Sequence, residues 1–408
     1  MTGEELISAA SRLVVGDDGD DFVIGRPDLG VYVAVPEPGA AFVEALRGGA
    51  SLEEATATAT RVAGQEVDGA EFLAGLAEAG LLDPVRPAAA GQPAGGRGLR
   101  QIRWVEGVSQ RSARRFFGPA GWIMYGAAVI FSVSLLALRP DLRPTYEHTW
   151  WLPDPVLSLL ILFPINLLLT AAHEVWHWLA GRAAGVPAIF RVSYRGMFLV
   201  FETDLTQIVT TPRNRRYGAF LAGMAFDSVV LAVALGLRLA NREAVIALSG
   251  LADRLLAAIV LTQVVRIVWQ FAAVFMRSDM YAVLTNALRC HDLYRTTWLT
   301  VKDRLWRLKA EEVAELAGMG VRDQVIARWF GLVYLAGLIA IGWMVLYVSV
   351  PFMIGMVMWV AANLANPLVT SWTFWSSLAL TLYIVVPKVM PVLLAVRERR
   401  LKKAGALR

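Results

Sequence analysis

From Pro155 to Gly181 the chain carries a single formally charged residue, Glu174, in an otherwise apolar or weakly polar run. A stretch of this length and character spans a bilayer as a helix, because only a helix satisfies its own backbone N–H and C=O groups in hydrocarbon. Comparable runs occupy about 119–138, 216–237, 255–276, 329–350 and 371–396, which predicts about six transmembrane helices. Composition agrees: 56% of residues are hydrophobic and 18% charged, with mean hydropathy +0.51. That excludes an ordinary soluble domain. Residues 351–367 are apolar but flanked by Pro351 and Pro367, and they read as re-entrant or interfacial. The expected fold class is therefore mainly α, a polytopic membrane protein, with a small α+β domain in front.

That domain occupies residues 1–84. Leu13–Val15, Phe22–Ile24 and Val31–Val35 are short β-rich runs separated by Gly/Asp turns. A helix from about Pro38 stops at Gly48-Gly49, and Ser51-Leu52-Glu53-Glu54 is a capping box opening a second helix. A third begins at Asp68, giving a winged-helix-like order of strands and helices. The segment is acidic, which disfavours nucleic acid as its partner. Residues 85–116 read as a flexible linker that turns basic, with Arg97, Arg100, Arg103, Arg111, Arg114 and Arg115 ahead of the first span. The remainder, 117–408, is the membrane domain.

By the positive-inside rule that basic collar is cytoplasmic, as is the tail Arg397–Lys403. The net charge of +5 thus sets orientation. No long apolar run lies within residues 1–100, so no cleavable signal peptide is expected. The predicted location is the plasma (inner) membrane, multi-pass, with both termini cytoplasmic. Trp150 and Trp151 suit the outer interface as aromatic anchors.

The chemistry concentrates at His173-Glu174-Val175-Trp176-His177. Four residues advance a helix by little more than one turn, so the two imidazoles project from one face. That spacing can hold one Zn²⁺, with Glu174 beside the water the ion activates. The bland reading is two histidines bonded to neighbouring helices. Ionisable residues inside an apolar helix are costly, however, and usually functional. A third protein ligand is still needed. Cys290 is the single cysteine, so no thiolate cluster is available. Asp227 and Asp279 are the acidic residues suitably placed, and depth favours Asp279. Cys290, His148 and His291 read as solvated or interfacial side chains.

These features resemble the site-2 protease group of intramembrane metallopeptidases, nearest the branch of peptide zinc metalloproteases. The resemblance covers about residues 150–295 and rests on the His-Glu-x-x-His late in an apolar helix, a basic hairpin-bearing loop at Phe190–Phe201, Gly223-xxx-Asp227 and Asp279-Met280-Tyr281. It implies Asp279 as third ligand, with Met280 standing where Gly is usual. It also implies substrate alignment by the hairpin, including Phe190, Tyr194 and Phe201. Asp227 occupies a position that is Asn in the group. Residues 8–84 are similar to PqqD-like peptide-recognition domains, on Gly30-Val31-Tyr32-Val33, Gly48-Gly49-Ala50-Ser51-Leu52-Glu53-Glu54-Ala55 and Glu71-Phe72-Leu73 followed by Gly80-Leu81-Leu82. Together these imply an endopeptidase maturing a precursor peptide. Open alternatives are regulated cleavage of a transmembrane signalling protein, or a non-catalytic peptide export or immunity module retaining structural zinc.

One pairing follows from depth. At ~1.5 Å per residue, Asp227 and Arg266 both lie roughly 15–16 Å inside their spans. Consecutive antiparallel spans are neighbours, so the two charges are expected to pair; the alternative is that Asp227 points into the cleft toward substrate while Arg266 faces water.

Overall fold

In a computed structural model of the protein, the described residues are 9–19, 21–27, 29, 31–82, 108–186, 188–195, 198–365 and 368–382. Strands β1 (Val14–Asp17), β2 (Phe22–Arg26) and β3 (Val31–Val35) form an antiparallel meander in which Val15 faces Ile24 and Ile24 faces Val33. Helices α1 (Glu37–Arg47), α2 (Leu52–Ala63) and α3 (Gly69–Glu78) cover it. Leu13, Ile24 and Val35 are buried with Phe42, Val43, Leu46 and Leu76 in one core. The Ser51 capping box forms reciprocally: Glu54 N–H donates to Ser51 Oγ, and Ser51 N–H to the Glu54 carboxylate at 2.9 Å.

The expected linker is not irregular throughout. Residues 83–107 are outside the described residues, but Gln110–Phe116 is helical (α4), and Arg114 donates to the Ala183 carbonyl at 3.2 Å. The rest is mostly helical: α5 (Pro119–Leu138), α6 (Pro155–Ala184), α7 (Arg213–Arg242), α8 (Gly250–Ala272), α9 (Asp279–Leu288), α10 (Leu293–Leu305), α11 (Ala310–Gly318), α12 (Val321–Met344) and α13 (Val350–Ala365). Five helical segments among the described residues are long and apolar enough to cross a membrane: Gln110–Leu138, Pro155–Ala184, Arg213–Arg242, Gly250–Ala272 and Val321–Ala365. On α5, Ile123, Ile130, Val133 and Leu138 are each more than half exposed. A continuous apolar surface of this kind is costly in water and is accommodated by lipid.

The sixth expected span is described only over 372–382, which is helical; residues 383–396 and the basic tail lie outside the described residues. Residues 351–365 do not break away as a separate re-entrant element. A π-helical turn, Val345–Ser349, joins α12 to α13 without interruption. Pro351 is tolerated because it falls at the second position of α13, where the junction with the π-turn relaxes the demand for an α-type N–H bond. The combined segment is roughly 65–70 Å long, about twice a hydrocarbon core, so it cannot lie within one perpendicular crossing.

Local signals fix α6. Asp154 accepts from the N–H groups of Val156 and Leu157 (2.8 and 3.1 Å) with Pro155 at the first position, and Gly185 ends the helix at φ +87°. The helix continues through Pro164. Helix α7 packs against α5, α6 and α8 and buries Ala219, Ala222, Gly223 and Ala225. Such small residues let membrane helices approach closely. At the far end of α7, buried Arg238 meets Asp253 of α8 at 3.3 Å, which pins the antiparallel pair. Trp151 is not an interfacial anchor: it is buried against Leu162 and Ala258, and its indole N–H donates to the Ser158 carbonyl at 3.2 Å.

The N-terminal domain docks on the start of α7. Asp18, in the β1–β2 turn, is buried between Arg213 and Arg216, with Arg216 Nη1 at 2.7 Å from its carboxylate. Three charges together offset the desolvation each would suffer alone.

Cys290 sits between α9 and α10. Burial, followed by the Asp323 carboxylate, pushes its thiol up to about 12. The thiolate is the reactive form. Its alkylation rate is therefore expected to keep rising about tenfold per pH unit above pH 9, where an ordinary thiol levels off. A pH series with iodoacetamide, read by intact mass, checks this.

Candidate metal centre

His173 and His177 lie one turn apart on α6 and are both buried. Their ring Nε2 atoms approach to 3.3 Å. Asp279, the first residue of α9, brings Oδ2 to 3.1 Å from His173 Nε2 and 3.3 Å from His177 Nε2. The outer ring nitrogens are already committed. His177 Nδ1 is 2.8 Å from the Ala219 carbonyl, which can only accept, so Nδ1 carries the proton. His173 Nδ1 is 2.8 Å from Asp227 Oδ2, which assigns the same tautomer. Two imidazole lone pairs and one carboxylate oxygen therefore face a common point.

These three atoms suit a cation. Bonds of about 2.0–2.1 Å to a tetrahedral ion place its ligands roughly 3.3–3.4 Å apart, and the separations here are 3.1–3.3 Å. His173, His177 and Asp279 are the group that could hold a metal ion among the described residues. Three protein ligands leave one tetrahedral position open, the pattern of catalytic sites.

Gly223 is what allows α7 to pass so close. A Cβ there would lie 2.3 Å from His173 Nε2 and 2.4 Å from His177 Nε2. No side chain fits beside the imidazoles. Gln270 of α8 steadies the carboxylate from both sides: its Nε2 donates to Asp279 Oδ2 at 3.0 Å, and its Oε1 accepts from Asp279 N–H at 3.0 Å. A carboxylate held this way is oriented in advance for an ion. Glu174 is partly exposed, and its carboxylate makes no hydrogen bond among the described residues.

The hairpin of β4 (Ile189–Arg195) and β5 (Phe198–Asp204) follows α6 directly. Its turn, residues 196–197, is outside the described residues. Tyr194 pairs with Leu199 in the ladder. Phe190 and Phe201 stack with ring centroids 6.0 Å apart. Thr203 Oγ1 donates to the Glu174 carbonyl at 2.7 Å, fastening the hairpin to the helical turn that carries the histidines.

Arg266 Nε stands 3.2 Å from Asp227 Oδ2, the same oxygen that meets His173. The acidic–basic neighbour pair is legible in the sequence, but its contact with His173 is not. Nor are the roles of Gln270 and the Ala219 carbonyl. A main-chain acceptor has no signature in sequence. Gln270 had one: Thr262, Arg266 and Gln270 recur every four residues along one face of an apolar helix.

Asp227→Asn is expected to lower folded yield, because an unpaired mid-span arginine costs at least ~3 kcal/mol. Adding Arg266→Gln should restore part of that loss. Purified yield and thermal melts of the two singles and the double check the coupling; strict additivity would mean the two do not act together.

No family model matches the chain, and the comparisons with curated proteins and with solved structures returned no match.

Proposed function

We propose that the chain is an intramembrane zinc endopeptidase that cleaves a small precursor peptide near the cytoplasmic side of the membrane, in leader removal or maturation. The observation that carries this reading is the convergence of His173, His177 and Asp279 next to Glu174, which is not itself one of the three. A purely structural metal site needs the three ligands and has no use for Glu174.

His173, His177 and Asp279 would hold the ion. Zinc in such a site supplies Lewis acidity, lowering the pKa of bound water and polarising a carbonyl. Glu174 acts as general base toward the attacking water and returns the proton to the leaving amine. Asp227 and the Ala219 carbonyl hold the imidazole tautomers that turn both Nε2 lone pairs inward. The substrate must present an unwound stretch, since a helical carbonyl is screened by its own hydrogen bonds. The hairpin is suited to receive such a stretch by adding it as a strand. The N-terminal domain, docked through Asp18 at the start of α7, is placed in this reading to capture the precursor as a PqqD-like module and pass it on.

The test is incubation of the zinc-loaded full chain in lipid nanodiscs with a library of apolar peptides in ¹⁸O water. Cleavage products carrying ¹⁸O in the new carboxyl group, absent with Glu174→Gln and after chelation, are expected. Metal-replete wild-type protein that releases no more product than Glu174→Gln would refute the proposal.

A further inference from the structure

A cavity of about 770 Å³ opens between α6 and α8, within the range of about 300–1,000 Å³ usual for ligand sites. Pro144, Thr145, Tyr146 and Thr149 line one end of it, at the opposite end of α6 from the hairpin. Two polar stripes run along its walls among the apolar side chains of Leu261, Val265 and Trp269. Asn166 and Thr170 recur at one-turn spacing on α6 and lead directly to His173. Thr262, Arg266 and Gln270 do the same on α8 and lead to Asp279, which Gln270 holds. The cavity floor is therefore one side chain away from the candidate metal ligands.

Arg266 gives this cavity its chemistry. Its Nε is paired with Asp227 Oδ2 at 3.2 Å, and the side chain, 20% exposed, also lines the cavity. A guanidinium offers five N–H donors and no acceptor, so one carboxylate contact leaves donors for an occupant of the cavity. The α6 stripe spends its donors on its own helix: Thr170 Oγ1 donates to the Asn166 carbonyl at 2.8 Å and Asn166 Nδ2 to the Leu162 carbonyl at 3.1 Å. What fits is an occupant bringing oxygen acceptors into an otherwise apolar slot. An extended peptide does so, because its carbonyls are not consumed by its own helix.

We infer that this cavity binds the segment of the peptide substrate on the side of the scissile bond away from the hairpin, in extended form, with a main-chain carbonyl or a terminal carboxylate on Arg266. The inference rests on the endopeptidase reading and names the conformation and the anchoring group that reading leaves open. The substrate is then held at two ends, as a strand on the hairpin and as an extended chain between α6 and α8.

The experiment uses full-length Glu174→Gln protein loaded with zinc, so that binding is read without turnover. The probe is a short fluorescent Leu/Ala/Gly peptide, made with a free C-terminal carboxylate and as the C-terminal amide. Fluorescence anisotropy should show that Thr262→Trp, which fills the cavity, weakens binding about tenfold or more while zinc content stays unchanged. Arg266→Gln should weaken it about 10- to 100-fold, as expected for losing hydrogen bonds to a charged donor. Should Thr262→Trp fail to fold, Thr149→Trp fills the cavity from its other end instead. A free acid that binds much more tightly than the amide assigns the terminal carboxylate; equal binding assigns the main-chain carbonyl. Both support the site. Unchanged binding by the folded, cavity-filled protein overturns it and leaves the cavity as a solvent path. If the wild type cleaves library peptides while the cavity-filled protein binds normally, the cavity assignment falls and the endopeptidase reading stands. If the cavity binds peptide but nothing is ever cleaved, the reverse holds.

Discussion

Gly223→Ala protein is expected to fold and to lose the zinc affinity proposed for His173, His177 and Asp279. The added Cβ would sit 2.3 Å from His173 Nε2 and 2.4 Å from His177 Nε2, distances that real carbon atoms do not adopt. Either α7 withdraws from α6 or both imidazoles rotate. Withdrawal breaks the His177 contact with the Ala219 carbonyl and the His173 contact with Asp227, which set the two tautomers. Rotation scatters the lone pairs directly. Loss of such orienting contacts typically costs 10–100-fold in metal affinity, and losing them together with the ligand geometry should cost on the order of 100-fold or more. Helix propensity runs the other way, since alanine is favoured over glycine by up to ~1 kcal/mol. The fold should therefore survive. Gly236→Ala on the same helix is the control: its nearest new contact is Phe131 at 3.7 Å, an ordinary separation. Zinc competition with a chromophoric chelator, beside thermal melts, separates the two outcomes. Retention of full affinity by Gly223→Ala would place the ion elsewhere.

The second large effect is expected at Glu174. Replacement by glutamine keeps size and shape and leaves the main-chain carbonyl free to accept from Thr203. None of the three candidate ligands is touched, so metal content should match that of the wild type. Hydrolysis should fall by about 10²–10⁴, the usual contribution of a positioned general acid–base. A fall in kcat with KM unchanged is expected, since the carboxylate acts on the proton and not on the peptide. If Glu174→Gln loses its metal instead, Glu174 serves the site structurally and the assigned role is wrong.

Much of this could be read from sequence because it is local. The Ser51 box, the Asp154 cap with Pro155, and apolar runs ending at Leu138 and near Gly185 depend on residues within a few positions of each other. The His173/His177 pair is legible for the same reason, a fixed rise per residue. What was hidden is what two distant helices do to each other. Asp279 meets the histidines only because Gln270 and the turn after α8 fold its backbone inward. Asp227 was visible as a misplaced charge, but depth alone does not distinguish a residue that merely neutralises Arg266 from one that also orients His173. The Asp18 contact joins residues 195 positions apart, and nothing in a Gly/Asp turn announces an arginine pair on another domain. Continuity through Val345–Ser349 was obscured because Pro351 signals a break unless the preceding turn has already widened.

X-ray absorption at the zinc edge, on the detergent-solubilised full chain, tests the central claim most directly. The arrangement predicts one ion per chain with a shell of nitrogen and oxygen only, at about 2.0–2.1 Å, showing the outer-shell scattering of two imidazoles. Asp279→Ala should bind much more weakly and, where still loaded, keep both imidazoles while losing the carboxylate oxygen. A sulfur neighbour, fewer than two imidazoles, or an Asp279→Ala spectrum and affinity identical to the wild type would contradict it.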